Sequence, residues 1–341
     1  VGCCSLMAMD DGDYEVGKMA VLEGARGRNR RLLEGAAMSL DPAYLEYPHR
    51  REGYDHEFYP WSNIHQRKPV RWPDDRSVAV FLCVSLEWFP ITPEDTPFRA
   101  PGHMVTPYPD YRHYTVRDYG NRVGVWRMLE AFEKAGVKAS FATNAAIAER
   151  YPELIEAIRS GGHEIIAHST DMNGTIDATL GEEEERALIG DCVARLEKAT
   201  GERPKGWLSI ARQQSFSTLD ILRGEGLTYC CDWVNDELPY RFTNGLINCP
   251  LNHELSDRTI ITTQQKSADS WAESMRDAFD WLAREAQTKA GRMLPIQLTP
   301  YIMGLPYRIG SLECLLADLA GRDEAWFATG GAIVDAWEDQ Q

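Results

Sequence analysis

Long apolar runs are absent from this sequence, which narrows what the chain can be. The longest, Val78 to Leu86, spans nine residues and includes a serine, whereas a membrane-spanning helix needs about 18 or more. The first nine residues hold neither a basic segment nor a long apolar one, so we expect no signal peptide. Positive charge is also scarce, since 36 Lys and Arg stand against 52 Asp and Glu, a net charge of −16. An acidic surface disfavours nucleic acid and anionic membranes as partners.

Phosphate-binding and paired-cysteine motifs are missing as well. No strand-like segment leads into a glycine-rich phosphate loop, which argues against a dinucleotide-binding fold. The eight cysteines form no C-x-x-C, and Cys83 and Cys249 lie in apolar, strand-like segments. We therefore expect reduced core thiols in a cytoplasmic protein rather than a disulfide framework. We also expect no cofactor, a small neutral molecule as substrate, and a homo-oligomer.

The order of the predicted elements indicates the fold class. Residues 1–54 are weakly periodic and predict an N-terminal extension, whereas residues 55–341 predict one domain in which short strands alternate with helices about seven times. Such alternation predicts an α/β fold, a parallel sheet or barrel wrapped by helices, with its site at the carboxyl ends of the strands. Glu87 to Asp118 is proline-rich and aperiodic and predicts a long, functional loop. Thr179-x-x-Glu182 predicts a capping box.

Candidate catalytic side chains follow the predicted strands. Alternation along strand 78–86 puts Glu87 on the face opposite the aliphatic residues. A carboxylate there is a candidate general base, or else one partner of a rim salt bridge. His168 follows the strand Glu164 to Ala167 and is either catalytic or structural. Two further strand ends carry aromatic and polar residues that suit a small-molecule pocket, namely Trp207, Arg212, Asp232, Trp233 and Asn235.

Together these segments resemble the polysaccharide deacetylase superfamily over about residues 55–335. The resemblance rests on the order of a strand ending in Glu87, Lys138-Ala139-Ser140-Phe141, Gly162-His163-Glu164-Ile165, His168, and Gly206-Trp207. Asp118 to Trp126, Asp232 to Tyr240 and Met303 to Ile309 are similar to a divergent branch that includes metal-independent allantoinases and cyclic imide hydrolases. The resemblance implies a deformed (β/α)7 barrel of the polysaccharide deacetylase type behind an N-terminal extension.

The departures from the family pattern concern its metal site. Deacetylases of this superfamily carry an Asp-Asp pair after the first strand, an H-x-x-x-H motif, and a late histidine that acts as general acid. Here the matching positions are Glu87-Trp88, His168-x-x-x-Met172 and Thr299. One metal ligand of three survives, so the resemblance implies that the base is kept and the Zn²⁺ site is lost. Asp171 stays open as a substitute ligand.

The resemblance implies a hydrolase of non-peptide C–N bonds that opens a small cyclic amide, such as an imide, a hydantoin or a ureide. Glu87 would activate water, His168 or Arg212 would hold the oxyanion, and Arg122 would orient the substrate or Glu87. The expected substrate-binding residues are Trp88, Ser169, Asp171, Trp207, Asp232, Trp233, Asn235 and Thr299. Two alternatives stay open: a metal-dependent deacetylase or amidase with rebuilt ligands, and a non-catalytic protein that binds a small molecule on a degenerate barrel.

Overall fold

The computed structural model describes residues 4–8, 14–19, 56–64 and 66–341, which divide into units spanning 1–61 and 62–341. In the first unit, strands β1 (Cys4–Ala8) and β2 (Tyr14–Met19) pair antiparallel. The rest of the extension predicted for residues 1–54 lies outside the described residues. Its boundary therefore stays a prediction.

A curled sheet with a half-barrel shape organises residues 62–341. Its strands are β3 (Val78–Leu86), β4 (Ser140–Thr143), β5 (Glu164–Ala167), β6 (Gly206–Trp207), β7 (Tyr229–Cys230), β8 (Tyr240–Arg241), β9 (Ile247–Asn248), β10 (Arg292–Leu298) and β11 (Ala325–Ala328). They lie in the order β10-β3-β4-β5-β6-β7-β9-β8, and β11 pairs with the first half of β3. Strand β8 runs antiparallel to β9, and the other pairings of this sheet are parallel. The carboxyl ends of the parallel strands therefore share one edge.

Strand β3 is buried along its whole length and separates two apolar clusters. Its aliphatic residues pack into the larger cluster, which includes Val80, Leu82 and Val84. The residues between them, Phe81 and Cys83 among them, pack into the smaller cluster on the other side. This alternation confirms the predicted facing of the strand, and it directs Glu87, which follows the strand, toward the side of Phe81 and Cys83.

Helices surround the sheet over the rest of the chain. They are α1 (Tyr111–Tyr119), α2 (Val125–Ala135), α3 (Ala145–Arg150), α4 (Pro152–Ser160), α5 (Glu182–Thr200), α6 (Thr218–Gly224), α7 (Ala268–Ala286), α8 (Pro300–Met303), α9 (Ile309–Ala320) and α10 (Gly330–Glu338). A π-helical turn, Gly120–Gly124, joins α1 to α2, and a second, Arg258–Thr263, precedes α7. Among the described residues, no helix is both long enough and apolar enough to cross a membrane.

Two sequence predictions about helix starts are wrong. Helix α1 lies in a segment predicted as loop, where Asp110 caps it by accepting a hydrogen bond from the His113 backbone N–H at 3.0 Å. No residue of α1 is buried, so no apolar periodicity marks it. Helix α5 begins at Glu182 after Gly181, without a side-chain cap. Thr179 instead hydrogen-bonds to Asp177 in the preceding turn, so the predicted capping box does not form.

Two glycines let the π-helical turn between α1 and α2 touch helix α8. A Cβ atom on Gly124 would lie well inside van der Waals contact of the carbonyl oxygen of Pro300. A Cβ on Gly304 would collide in the same way with the backbone of Gly124. This backbone contact fixes the position of Tyr301, which lies between Pro300 and Gly304 in the chain.

Candidate active site

A cavity of about 210 Å³ lies at the edge of the sheet where the parallel strands end. Its polar wall is formed by Glu87, His168, Ser209, Arg212, His253, Ser256, Arg258, Thr259 and Gln297. Glu87 follows β3, His168 follows β5, and Gln297 lies on β10. Side chains from several strands therefore converge here, as the fold class predicts.

A second cavity, of about 390 Å³, is larger but lies at the opposite end of β5, beside Glu164. Charged residues at its rim are engaged in ion pairs, such as Arg159 with Glu202 and Lys205 with Asp335. Size alone does not define a site, and the smaller cavity combines a buried carboxylate, two guanidinium groups and two histidines. We therefore place the candidate active site in the smaller cavity.

The carboxylate of Glu87 is held by two donors. Nη2 of Arg258 lies 2.7 Å from both Oε1 and Oε2, and the hydroxyl of Tyr301 donates to Oε2 at 3.1 Å. The Glu87 side chain is 6% exposed and that of Arg258 is 26% exposed. Burial disfavours the charged guanidinium, but the nearby Glu87 carboxylate outweighs it and raises the pKa of Arg258 above its usual value. Because a carboxylate oxygen has two lone pairs, Oε1 still accepts a hydrogen bond from water.

Arg258 and Tyr301 contact Glu87 in the candidate site, and the sequence reasoning missed them. The Tyr301 ring lies between two guanidinium groups, with the Cζ of Arg117 at 4.9 Å from its centroid and that of Arg258 at 5.7 Å. Tyr301 follows the end of β10, so the strand-end rule could have found it. Arg258 lies on a π-helical turn, away from any strand end, and no pattern in the sequence marks it.

His168 presents an acceptor to the cavity. Its Nδ1 lies 2.6 Å from the carbonyl oxygen of Leu208, and because a carbonyl only accepts, Nδ1 carries the proton. Its Nε2 is buried without a hydrogen-bond partner among the described residues. Burial lowers the pKa of His168 despite the opposing effect of Glu87, which together with the Leu208 contact favours a neutral ring with a bare Nε2. In that state His168 cannot donate to an oxyanion, which corrects one of its expected roles.

Arg212 also lines the cavity, and three elements fix its position. Its Nε donates to the carbonyl oxygen of Leu251 at 3.1 Å, and Nη2 donates to Oε1 of Gln297 at 2.5 Å. Gln297 in turn donates to the Ser85 hydroxyl on β3 at 3.0 Å. The backbone φ angles of Ala211 and Arg212 are 58° and 57°, a left-handed conformation that non-glycine residues adopt uncommonly.

Three of the predicted substrate-binding residues support the cavity wall from behind. Asp232 accepts hydrogen bonds from the backbone N–H and the hydroxyl of Ser209, at 2.7 and 2.9 Å, and from Gln214 at 2.5 Å. The indole N–H of Trp207 donates to the Ser209 hydroxyl at 2.7 Å, and that of Trp233 donates to Gln214 at 2.9 Å. Burial raises the pKa of Asp232 to about 6. This network positions Ser209, and Ser209 itself lines the cavity.

Three other predicted substrate-binding residues do not line the cavity. The Trp88 ring packs against the guanidinium of Arg150, whose Cζ lies 4.4 Å from the ring centroid. Thr299 donates its N–H and its hydroxyl to Asp257, at 2.7 and 3.0 Å, and burial raises the pKa of Asp257 to about 7. Asn235 accepts a hydrogen bond from the Tyr240 hydroxyl at 2.9 Å on an exposed loop. These side chains serve packing and loop structure.

The remaining predicted residues also lie outside the cavity lining. Ser169, with φ of 62°, and Asp171, which accepts from the Asn173 backbone at 2.8 Å, shape the turn after β5. Burial raises the pKa of Asp171. Arg122 projects from the π-helical turn with a side chain that is 71% exposed and pairs with Asp118 at 3.7 Å. The structure therefore does not bring Arg122 to the substrate or to Glu87.

The proline-rich segment after β3 supplies one wall of the cavity. Its Pro101 lines the cavity, and the Pro101 carbonyl accepts a hydrogen bond from Nη1 of Arg258 at 3.2 Å. The side chain of Asn173 anchors the segment at two points, donating to the Thr92 carbonyl at 3.0 Å and accepting from the Glu94 N–H at 3.1 Å. The segment is thus anchored to the turn after β5 and to the cavity itself.

Comparison with known proteins relates the chain to a described family. Residues 111–230 match the family described as polysaccharide deacetylase. The match covers 120 of the 341 residues. The crystal structure of PuuE allantoinase superposes with a TM-score of 0.73 at 25% identity, covering 82% of this chain and 98% of that one. A Schizosaccharomyces pombe protein named as a candidate polysaccharide deacetylase is 26% identical over 79% of this chain and 94% of its own length. A Helicobacter pylori peptidoglycan deacetylase is 24% identical over 49% of this chain and 68% of its own.

These similarities confirm the resemblance to the polysaccharide deacetylases, with an allantoinase among the structural neighbours. They also confirm the α/β fold of the polysaccharide deacetylase barrel type. The chain is thus similar in sequence to polysaccharide deacetylases and in fold to an allantoinase. The family match begins at residue 111, so it does not include Glu87.

The family pattern implies a divalent metal, and the donor set in this site does not fit one. Two of the ligand positions are occupied by Trp88, whose indole packs on an arginine, and Met172, which is a poor ligand for a hard cation. His168 is left with one free nitrogen. Asp171 does not line the cavity, and among the described residues no three His, Cys, Asp or Glu side chains converge as a metal site would require.

Proposed function

We propose that this protein is a hydrolase that opens the ring of a small cyclic amide, such as an imide, a hydantoin or a ureide. The supporting observation is that the Glu87 carboxylate and the bare Nε2 of His168 meet in one cavity of about 210 Å³. This volume is below the roughly 300–1,000 Å³ typical of pockets for larger ligands. It suits a single small ring better than a glycan chain.

In the proposed reaction, Glu87 is the general base. Oε1 of Glu87 accepts a proton from water while the water oxygen attacks the ring carbonyl carbon. The guanidinium of Arg258, which lies beside Glu87, is the donor assigned to the resulting oxyanion. Collapse of the intermediate breaks the C–N bond, and the proton held by Glu87 passes to the leaving nitrogen. The products are a carboxylic acid, which then ionises, and an N–H group on the opened chain.

The substrate class follows from the strength of the electrophile. The nitrogen of an imide or ureide is shared between two acyl groups, so its carbonyl is more electrophilic than that of a sugar acetamide. Such a carbonyl can be attacked by base-activated water with hydrogen-bond donors at the oxyanion, where an acetamide usually recruits a Lewis acid. The bare Nε2 of His168 is an acceptor for the ring N–H that these substrates carry, so His168 would fix the orientation of the ring.

The test is a hydrolysis screen with the variant Glu87→Gln. Hydantoin, allantoin, succinimide, glutarimide and dihydrouracil would be compared with N-acetylglucosamine oligomers. Glu87→Gln keeps the size of the side chain but removes the base, so kcat on the best ring should fall about 100-fold or more. Glu185→Gln is the matched control, because Glu185 is also buried and hydroxyl-bonded, to Ser215 and Thr218, but lies outside the cavity.

Each alternative function has its own result in this screen. Turnover of the oligomers faster than of every ring would favour a deacetylase. Activity of Glu87→Gln within a few-fold of the wild type would show that Glu87 is structural. No turnover of any compound would favour the non-catalytic binding protein.

A further inference from the structure

The polar wall of the cavity carries more positive than negative charge. Glu87 supplies one carboxylate, and Arg258 neutralises it at 2.7 Å. Arg212 supplies a second guanidinium, and it forms no ion pair with any carboxylate in the part of the chain that the structure describes. Asp232 acts on Arg212 only through space, because its oxygens are engaged by Ser209 and Gln214. The wall therefore has one positive charge without a direct counter-ion.

The guanidinium of Arg212 is held rigidly against the cavity. Leu251 and Gln297 accept from its Nε and Nη2, while its Nη1 makes no hydrogen bond within residues 66–341. The left-handed backbone at Ala211 and Arg212 commits the turn to this geometry. A group held by several partners is pre-organised, so a ligand that binds it does not have to order the side chain.

Charged groups are seldom withdrawn from water without a partner, because the loss of hydration must be repaid by an opposite charge. Hydrolysis itself creates negative charge, but it does so at the carbonyl that Glu87 serves, and Arg258 already lies beside Glu87. The ring-opening reaction therefore does not use the positive charge of Arg212. A ligand that brings its own negative charge would balance it.

We propose that the substrate is an anion, a cyclic amide that carries a carboxylate on or beside its ring, and that Arg212 binds this carboxylate. The inference rests on the proposed function and specifies its substrate class. A planar guanidinium matches the two oxygens of a carboxylate, and a cavity of about 210 Å³ suits a ring with one small substituent. The net charge of −16 describes the protein surface as a whole, and only as such an average does it favour a neutral substrate. Local charge in the cavity decides recognition.

The experiment compares charged substrates with neutral analogues of the same shape. Hydantoin-5-acetate and glutarimide-4-carboxylate would each be assayed beside the corresponding carboxamide. In the wild type, kcat/KM should favour each carboxylate by about tenfold or more, because the carboxamide leaves Arg212 without a counter-ion. In Arg212→Gln this preference should disappear, mainly through a higher KM for the carboxylates. Arg212→Lys, which keeps the charge but not the planar fork, should retain part of it.

Arg195→Gln is the control, because it removes a guanidinium that pairs with Glu149 and Asp191 away from the cavity. It should leave the preference for carboxylates unchanged. Wild-type turnover of carboxamides at least as good as that of carboxylates would overturn the inference and leave the proposed function standing. An equal loss of kcat on both kinds of substrate in Arg212→Gln would assign Arg212 to the oxyanion instead, which also overturns the inference.

If no compound is turned over, the proposed function fails and calorimetry still decides the inference. Binding of hydantoin-5-acetate to the wild type that is lost in Arg212→Gln supports an anion site, and binding that is absent or equal in the two proteins refutes it. If Arg212→Gln does not fold, Arg212→Lys and the wild-type comparison of the paired substrates give the same decision.

Discussion

Arg258→Met should destabilise the protein by about 3–5 kcal/mol, because it leaves the buried Glu87 carboxylate with the Tyr301 hydroxyl as its remaining donor. Glu87→Gln should cost less, about 1–2 kcal/mol. The Arg258 side chain is 26% exposed against 6% for Glu87, and the amide oxygen of glutamine still accepts a hydrogen bond. The double variant of Glu87→Gln and Arg258→Met contains no buried carboxylate that has lost its arginine partner. The combined loss should therefore be smaller than the sum of the single losses by about 2 kcal/mol.

Urea denaturation of the four proteins at pH 7 measures this coupling. The ion pair between Lys134 and Glu313 is the matched control, because its N–O distance is also 2.7 Å but its side chains are 67% and 38% exposed. Its coupling should stay below about 1 kcal/mol. Additive losses for Glu87 and Arg258, or a coupling no larger than the control, would refute the argument that burial sets the strength of this pair.

Elemental analysis of the purified protein should find no stoichiometric zinc, because Trp88 and Met172 occupy two ligand positions; one equivalent with chelator-sensitive activity would contradict this. Asp257 should contribute stability that is lost as pH rises from about 4 to about 7, because burial raises the pKa of Asp257 from 3.8 to about 7, so between these values the folded state keeps a proton that the unfolded state has lost. Asp257→Asn should flatten the profile of unfolding free energy against pH by up to about 1.4 kcal/mol per unit, and an unchanged profile would exclude this role. Asn173→Ala should expose segment 88–110 to faster limited proteolysis by removing its anchor, and cleavage at the wild-type rate would show that the anchor is dispensable.

The strand-end rule predicted part of the candidate site from sequence. Glu87, His168 and Arg212 all line the cavity, because parallel strands bring their carboxyl ends to one edge whatever the details of packing. The strand-end rule does not predict which way the side chain of the following residue points. Trp88, predicted as a wall of the pocket, follows Glu87 directly, and neighbouring extended residues point to opposite faces. Its ring accordingly packs against Arg150.

Residues that reach the site from irregular segments were beyond the same reasoning. Arg258 lies on a π-helical turn, and its contact with Glu87 depends on a long side chain rather than on any periodicity. Fold prediction shows a similar division. Strand β5 occupies the residues predicted for it, Glu164 to Ala167. Helix α1, which buries none of its residues, has no apolar periodicity to mark it.

Gly124 and Gly304 should behave in a mutational scan as though they were catalytic. Neither lines the cavity, yet each is the place where two backbones meet without room for a methyl group. A side chain at either position would separate α2 from α8 and displace Tyr301, which donates to the carboxylate of Glu87. Substitutions at Gly124 and Gly304 are therefore coupled, because a change at one position restricts which residues the other position can accept. A substitution at either glycine can therefore abolish activity even though every cavity-lining residue is unchanged.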